Sequence, residues 1–279
     1  MAMVINTNVA SINSQRQLTS TNNALSTSME RLSSGLRVNS AKDDAAGLAI
    51  GDRMTSQIRG MTVATRNASD GISMAQTAEA AMGEITNTMQ RMRDLAVQSA
   101  NSGAVTGSDR NKLQSEFKQL DDELKRIVQN TEFNGKKIIN GSLAGGINIQ
   151  VGANTTADNQ IAVSVENISG TLSAVLGASI GSDAGSDGAL SAIANIDEAI
   201  EAIDTSRAKL GAIQNRFTTT ISNLQSSIEN QSAARSRIMD TDFAAETAAL
   251  SRNQILQQAG TAMLSQANQA PNAVLGLLR

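Results

Sequence analysis

The sequence of 279 residues contains no cysteine and no histidine, and its only aromatic residues are four phenylalanines. Without cysteine the chain forms no disulfide and offers no thiolate to a metal or a reaction. Without histidine it lacks the most frequent general base and the most frequent metal ligand. Because nucleotide-binding glycine motifs are missing as well, the sequence predicts a protein that is not an enzyme and uses no cofactor or metal.

Charge and hydropathy also limit the partners. The net charge of -3 and the shortage of aromatic side chains for stacking argue against nucleic acid. No apolar run reaches the ~18 residues that a transmembrane helix needs. The first residues lack the basic and apolar segments of a secretory signal. The single proline, Pro271, permits long helices nearly everywhere.

The longest ordered pattern runs from Leu190 to Ile238, where apolar residues recur every three or four positions. A seven-residue step within it predicts one long helix with a narrow apolar seam. Such a helix would be roughly 70 Å long, whereas a compact ball of this chain length is roughly 50 Å across. The pattern therefore predicts an elongated rod in which other helices cover the seam. The series with the seven-residue step is Ile196, Ile203, Leu210, Phe217, Leu224, Gln231 and Ile238.

Four other segments have helical periodicity. They are Ile5–Leu36, Met74–Asn101, a helix that begins at the predicted N-cap Asp109 and ends near Thr131, and the tail from Phe243 onward, where Ala249, Leu256 and Met263 step by seven. Between the first two, four glycines in Ser33–Gly60 interrupt the pattern, and we expect a loop with short helices there. The fold class is therefore mainly α, an elongated rod of long antiparallel heptad helices in which the two chain ends lie together.

The connector contains a carboxylate pair, Asp43 and Asp44. Paired carboxylates can serve as acid and base, but no other catalytic group accompanies them. A solvated loop or a subunit contact is the favoured interpretation.

After the helix that ends near Thr131, apolar residues recur at every second position. Alternating apolar residues at Ile147–Val151 and Ile161–Val165, with Asn-Gly turn signals at Asn134 and Asn140, predict a β-hairpin-containing tip at about residues 133–176. The Gly/Ser-rich segment 177–188 predicts a flexible surface turnaround before the long helix.

Both ends of the chain carry apolar residues beside uncharged polar ones. An apolar chain end predicts a contact between molecules, although docking onto its own core, or a frayed helix at the N-terminus, is the alternative. A contact that repeats between identical subunits without closing makes a helical filament. The residues expected to make it are Ile5, Val9, Ile12, Leu256, Met263, Val274, Leu275, Leu277 and Leu278.

Several long motifs, in the same order, make the chain resemble bacterial flagellin, the subunit of the flagellar filament. The motifs are INTNVASINSQRQL (Ile5–Leu18), RLSSGLRVNSAKDDAAGLAI (Arg31–Ile50), QRMRDLAVQSAN (Gln90–Asn101), LGAIQNRF (Leu210–Phe217), ARSRIMDTDFAAE (Ala234–Glu246) and QILQQAGTAMLSQAN (Gln254–Asn268).

The resemblance implies an inner coiled-coil domain of residues 1–40 plus 240–279 and an outer helical domain of residues 41–239. Only the turnaround separates the hairpin from the long helix, so the chain resembles a minimal flagellin without large outer variable domains. The resemblance further implies self-assembly into a filament for motility, and type III export through the flagellum to an extracellular location.

The expected partners, besides other copies of the chain, are an export chaperone at Leu250–Arg279, the hook-junction and cap proteins, and a Toll-like receptor that senses flagellins. A core position is the alternative for Leu95, and solvated helix charges are the alternative for Arg91 and Glu116. The residues that match the receptor site are Gln90, Arg91, Leu95, Gln98 and Glu116.

Another class of protein remains as an alternative, a non-flagellar helical signalling protein or a secreted coiled-coil interaction protein. A chemoreceptor-like hairpin should lack the β-tip and carry an attached membrane span, and neither expectation fits the sequence. A flagellin with a protease insert needs an HExxH zinc motif, which a chain without histidine does not contain.

Overall fold

A computed structural model describes residues 7–276 of the chain, with the side chains of residues 7–269. The described chain is mainly helical with a small β region, which confirms the predicted fold class. The α-helices are α1 (Val9–Ser34), α2 (Ala45–Ala100), α3 (Gly107–Asn130), α4 (Ile168–Thr171), α5 (Gly185–Met239) and α6 (Phe243–Gly276).

Two antiparallel strand pairs form the β region. Strands β1 (Glu132–Phe133) and β2 (Lys136–Lys137) pair across Asn134 and Gly135, whose φ angles of 49° and 75° identify a two-residue hairpin turn. Strands β3 (Ile147–Gln150) and β4 (Gln160–Val163) pair with Ile149 opposite Ile161. The predicted hairpin strands are therefore confirmed.

The chain divides into two compact units, to both of which α2 and α5 contribute. The terminal unit comprises Met1–Ser56 and Glu229–Arg279, and the central unit comprises Gln57–Ile228. In the central unit the seam predicted for α5 is buried, from Ile196 to Leu224. It meets core residues of α2 and α3 such as Met89 and Phe117, so methionine and aliphatic side chains fill a core that has few aromatics.

The prediction of a loop with short helices over Ser33–Gly60 is wrong beyond residue 44. Helix α2 begins at Ala45 and runs without a break through Gly47, Gly51 and Gly60. A Cβ at Gly51 would lie 2.6 Å from the Met239 sulfur, and a Cβ at Gly60 would lie 2.8 Å from the Ala153 Cβ. These glycines therefore admit close neighbours inside a continuous helix, and the packing offsets their weak helix propensity.

The N-cap of α3 is Thr106 and not the predicted Asp109. The Asp109 amide N–H donates to Thr106 Oγ1 at 3.3 Å, and the Thr106 hydroxyl donates to Asp109 Oδ2 at 2.7 Å. The pair is related to a capping box, but the Asp109 carboxylate accepts from the Thr106 hydroxyl where a capping box uses the backbone N–H of the N-cap residue. The helix ends at the C-cap Thr131, as predicted.

The turnaround is tied to α3 by long-range hydrogen bonds. Gln114 Oε1 accepts from the Ile180 amide at 2.6 Å, and Asn111 Oδ1 accepts from both the amide and the hydroxyl of Ser182. Ile180 itself is completely buried. Helix α5 begins at Gly185, five residues before the predicted start, because this docked segment leads directly into it.

Candidate assembly and recognition surfaces

Helices α1 and α6 pack antiparallel in the terminal unit. Uncharged polar residues occupy much of the contact, and their hydrogen bonds fix the register of the two helices. The Gly35 amide closes α1, donating to the Arg31 carbonyl at 2.8 Å with Gly35 in the left-handed conformation (φ 72°). The pairs that join the two helices are Asn8–Ala267 (2.7 Å), Ser11–Asn268 (2.6 Å), Asn22–Gln257 (2.9 Å) and Arg31–Glu246 (3.7 Å).

The face of α1 toward α6 alternates leucine with small polar residues. Leu18 is half-buried there and Ser11 and Ser28 are buried. Gly260 lets the helices approach, since a Cβ at that position would lie 3.3 Å from Leu18 Cδ1. Val9 and Ile12 are mostly exposed, so other residues form the buried part of the seam.

Four of the predicted assembly residues are exposed in the terminal unit. The exposed fractions are 69% for Val9, 57% for Ile12, 49% for Leu256 and 60% for Met263. The other five predicted residues lie outside the part of the chain whose side chains are described. Ile5, Leu277 and Leu278 lie outside the described residues, and α6 includes Val274 and Leu275 without described side chains.

Sequence reasoning missed three further apolar residues of the same helices. Met29, Phe243 and Ile255 are each more than half exposed. The sequence signal for each of them is a large apolar side chain that falls outside the seven-residue series of its own helix. The two helices, of 26 and 34 residues, contain few charges, so the exposed surface is apolar or uncharged. These charges are Arg16, Glu30, Arg31, Glu246 and Arg252.

The Asp43–Asp44 pair has a local structural role. Asp44 Oδ1 accepts from the Gly47 amide at 2.8 Å and so caps α2. Asp43 Oδ2 accepts from the amide and the hydroxyl of Ser40 at 2.9 and 3.0 Å. The bond from the Ser40 backbone lowers the pKa of Asp43 most, followed by the bond from its hydroxyl. Both carboxylates therefore stabilise the turn that leads into α2.

The residues matching the receptor site separate into surface and core. Gln90, Arg91 and Gln98 on α2 and Glu116 on α3 are exposed. Leu95 is 2% exposed and packs in the core of the central unit. Its side chain therefore does not share the surface on which the other four lie.

Within residues 7–276, no helix is long and apolar enough to cross a membrane. The same part of the chain holds no cluster of three or more carboxylates arranged to bind a metal ion.

Comparison with protein families matches both ends of the chain. Residues 5–144 match the bacterial flagellin N-terminal helical region, and residues 193–278 match the bacterial flagellin C-terminal helical region. The crystal structure of Bacillus cereus flagellin is similar, with a TM-score of 0.50 and 30% identity, covering 61% of this chain and 94% of that chain.

Two relatives that align over their full length are flagellins as well. Flagellin of Bacillus subtilis is 43% identical over 306 aligned positions, covering 99% of this chain and 100% of that protein. Flagellin D of Vibrio cholerae is 40% identical over 377 positions and covers 100% of both chains. Both alignments are longer than this chain of 279 residues, so both relatives contain segments without a counterpart here. The chain belongs to the bacterial flagellin family, whose members are structural subunits of the flagellar filament on the bacterial surface.

Proposed function

We propose that this chain polymerises with copies of itself into the helical flagellar filament through the outer faces of α1 and α6. The observation that carries the proposal is the exposure of Val9, Ile12, Leu256 and Met263 on a helix pair whose own seam is made by other residues. A repeated contact between these faces that does not close on itself produces a helical polymer.

The energetics favour burial of these faces between molecules. Covering one large apolar side chain contributes about 1.5–3 kcal/mol, and four such side chains are exposed on each subunit among the predicted residues. The nearly uncharged surface around them means that little charge has to be desolvated when subunits meet.

The same surfaces account for the other expected partners. An export chaperone covering Leu250–Arg279 would shield apolar residues of α6 before assembly. Hook-junction and cap proteins would meet the faces that remain open at the two ends of a filament. Export through the flagellum would deliver the subunit to an extracellular location.

A second role, recognition by a Toll-like receptor, concerns the central unit. It is favoured by the exposure of Gln90, Arg91, Gln98 and Glu116, which come from two adjoining helices. This role needs the surface of the central unit and not the faces of α1 and α6, so the two roles are separable by mutation.

The polymerisation proposal is tested with the purified full chain, nucleated with filament fragments and followed by sedimentation and electron microscopy. We expect Ile12→Gln combined with Met263→Gln to remain helical by circular dichroism and to stay in the supernatant. The matched control is Leu190→Gln, because Leu190 in the central unit is as exposed as Ile12, at 57%. Hollow filaments should form from the control as from the unaltered chain.

Normal filaments from the double variant would refute the role of these faces. Truncation of residues 271–279 provides a second variant, for which we expect a folded subunit that does not polymerise.

A further inference from the structure

The methionines range from completely buried to more than half exposed. Of the nine whose side chains are described, Met82, Met89 and Met92 are completely buried, whereas Met29 is 57% and Met263 is 60% exposed. The sulfur of a methionine reacts with peroxides when solvent reaches it. Exposure therefore makes Met29 and Met263 the most reactive of this set.

The two exposed methionines have different neighbours. On α6, Met263 follows exposed Leu256 and Ala259 by two turns and one turn, so the three lie along one apolar strip. On α1, the exposed neighbours of Met29 one turn away are Ser26 and Ser33, whereas Leu25 and Leu32 at the same spacing are half-buried. Of the two methionines, Met263 is therefore the one that continues an exposed apolar strip.

We propose that Met263 is an oxidation site at which a peroxide blocks incorporation of the free subunit into the filament. This inference rests on the proposed polymerisation through α1 and α6. Once a subunit is incorporated, the covering surface shields the sulfur, so the site acts on free subunits and not on finished filament.

The chemistry is a two-electron oxygen transfer. The Met263 sulfur attacks one oxygen of hydrogen peroxide, the O–O bond breaks, and a proton shift releases water. Sulfur is oxidised to the sulfoxide and peroxide is reduced. The sulfoxide oxygen is a strong hydrogen-bond acceptor in a position that assembly would cover with apolar groups, where it would lack a donor. A dithiol-dependent sulfoxide reductase reverses the change.

The first test maps reactivity in the full-length monomer with hydrogen peroxide, using peptide mass spectrometry. We expect Met29 and Met263 to oxidise at least about tenfold faster than Met82, Met89 and Met92, because solvent access governs the rate. In preformed filament, Met263 should be protected relative to the monomer. Equal rates for Met263 and the three buried residues would overturn the inference.

The second test measures polymerisation after oxidation. The unaltered chain and Met29→Leu should lose incorporation in proportion to Met263 sulfoxide. For Met263→Leu, peroxide should leave incorporation at the level that the same variant shows before treatment. Treatment with a methionine sulfoxide reductase should restore the unaltered chain. If fully oxidised Met263 is incorporated at the normal rate, the inference fails while polymerisation stands. If the untreated chain and Met263→Leu both fail to polymerise, it is the proposed function that fails.

Discussion

The Arg91 guanidinium donates two hydrogen bonds to one carboxylate oxygen of Glu116, from Nη2 at 2.6 Å and from Nε at 3.0 Å. The pair joins α2 to α3, and its side chains are 56% and 46% exposed. Two residues that the family resemblance assigns to receptor binding are thus each other's partner. An exposed pair of this kind contributes only about 0.2–1 kcal/mol to folding, so both residues can be replaced without unfolding the central unit.

Replacement of Arg91 should separate recognition from stability. We expect Arg91→Ala to reduce activation of a flagellin-sensing Toll-like receptor in a reporter-cell assay by about tenfold, the effect of losing ~1.4 kcal/mol of binding. The matched control is Arg93→Ala, since Arg93 pairs with Asp197 at 2.6 Å and is 42% exposed. Equal activity of both variants would remove Arg91 from the recognition surface.

Leu95 should behave as a core residue. Because its side chain is 2% exposed within the central core, Leu95→Ala is expected to lower the free energy of unfolding by about 2–5 kcal/mol in urea denaturation. The control Val97→Ala removes an apolar side chain that is 48% exposed on the same helix and should cost much less. If Leu95→Ala left stability unchanged, this placement of the side chain would be wrong.

The helix pattern was predictable because heptad spacing selects one stripe of a helix. What spacing does not reveal is which molecule covers a given stripe. The seam between α1 and α6 uses Ser11 and Ser28, whereas Val9 and Ile12 face outward. Apolar residues outside the intramolecular seam therefore separate the two surfaces, and only the folded structure shows which residues these are.

Long-range contacts of the glycine-rich segments were beyond the reach of the sequence. The Gly/Ser composition of the turnaround suggests mobility. Gln114, which is 66 residues away in the sequence, nevertheless accepts a hydrogen bond from the Ile180 amide in this segment. Similarly, Gly51 weakens a helix considered alone, and only the position of Met239 shows why a glycine is accommodated there. Composition and local propensity contain no information about either partner.

Gly35 and Gly83 should respond oppositely to replacement by alanine. Gly35 adopts φ 72° at the end of α1, where a side chain costs about 1–2 kcal/mol. Gly83 lies inside α2 with no atom within 4 Å of an added Cβ, so Gly83→Ala should stabilise by about 0.5–1 kcal/mol. Thermal unfolding followed by circular dichroism should rank Gly83→Ala above the unaltered chain and Gly35→Ala below it. The reverse order would contradict the assigned backbone conformations.

Glu166 should make the stability of the central unit sensitive to acid. Glu166 accepts hydrogen bonds from the Lys209 ammonium and, at 2.9 Å, from the Ser206 hydroxyl, which joins the segment after β4 to α5. The bond from Lys209 and then that from Ser206 lower the pKa of Glu166 below its ordinary value of 4.5. In the unfolded chain these bonds are absent, so the unfolded state takes up the proton at higher pH than the folded state.

The sign of the pH effect follows from that order of proton uptake. The contribution of Glu166 is complete above pH 4.5, and it is lost as the pH falls below 4.5 and through the lowered pKa of the folded state. Because the Glu166 and Lys209 side chains are about half exposed, screening by solvent keeps the effect below about 1 kcal/mol. Urea denaturation from pH 6 to pH 3 should show a shallower acid loss for Glu166→Gln than for the unaltered chain. Lys209→Met leaves the bond from Ser206 in place and should lie between them, and superimposable profiles for all three would exclude Glu166 as a source of the acid sensitivity.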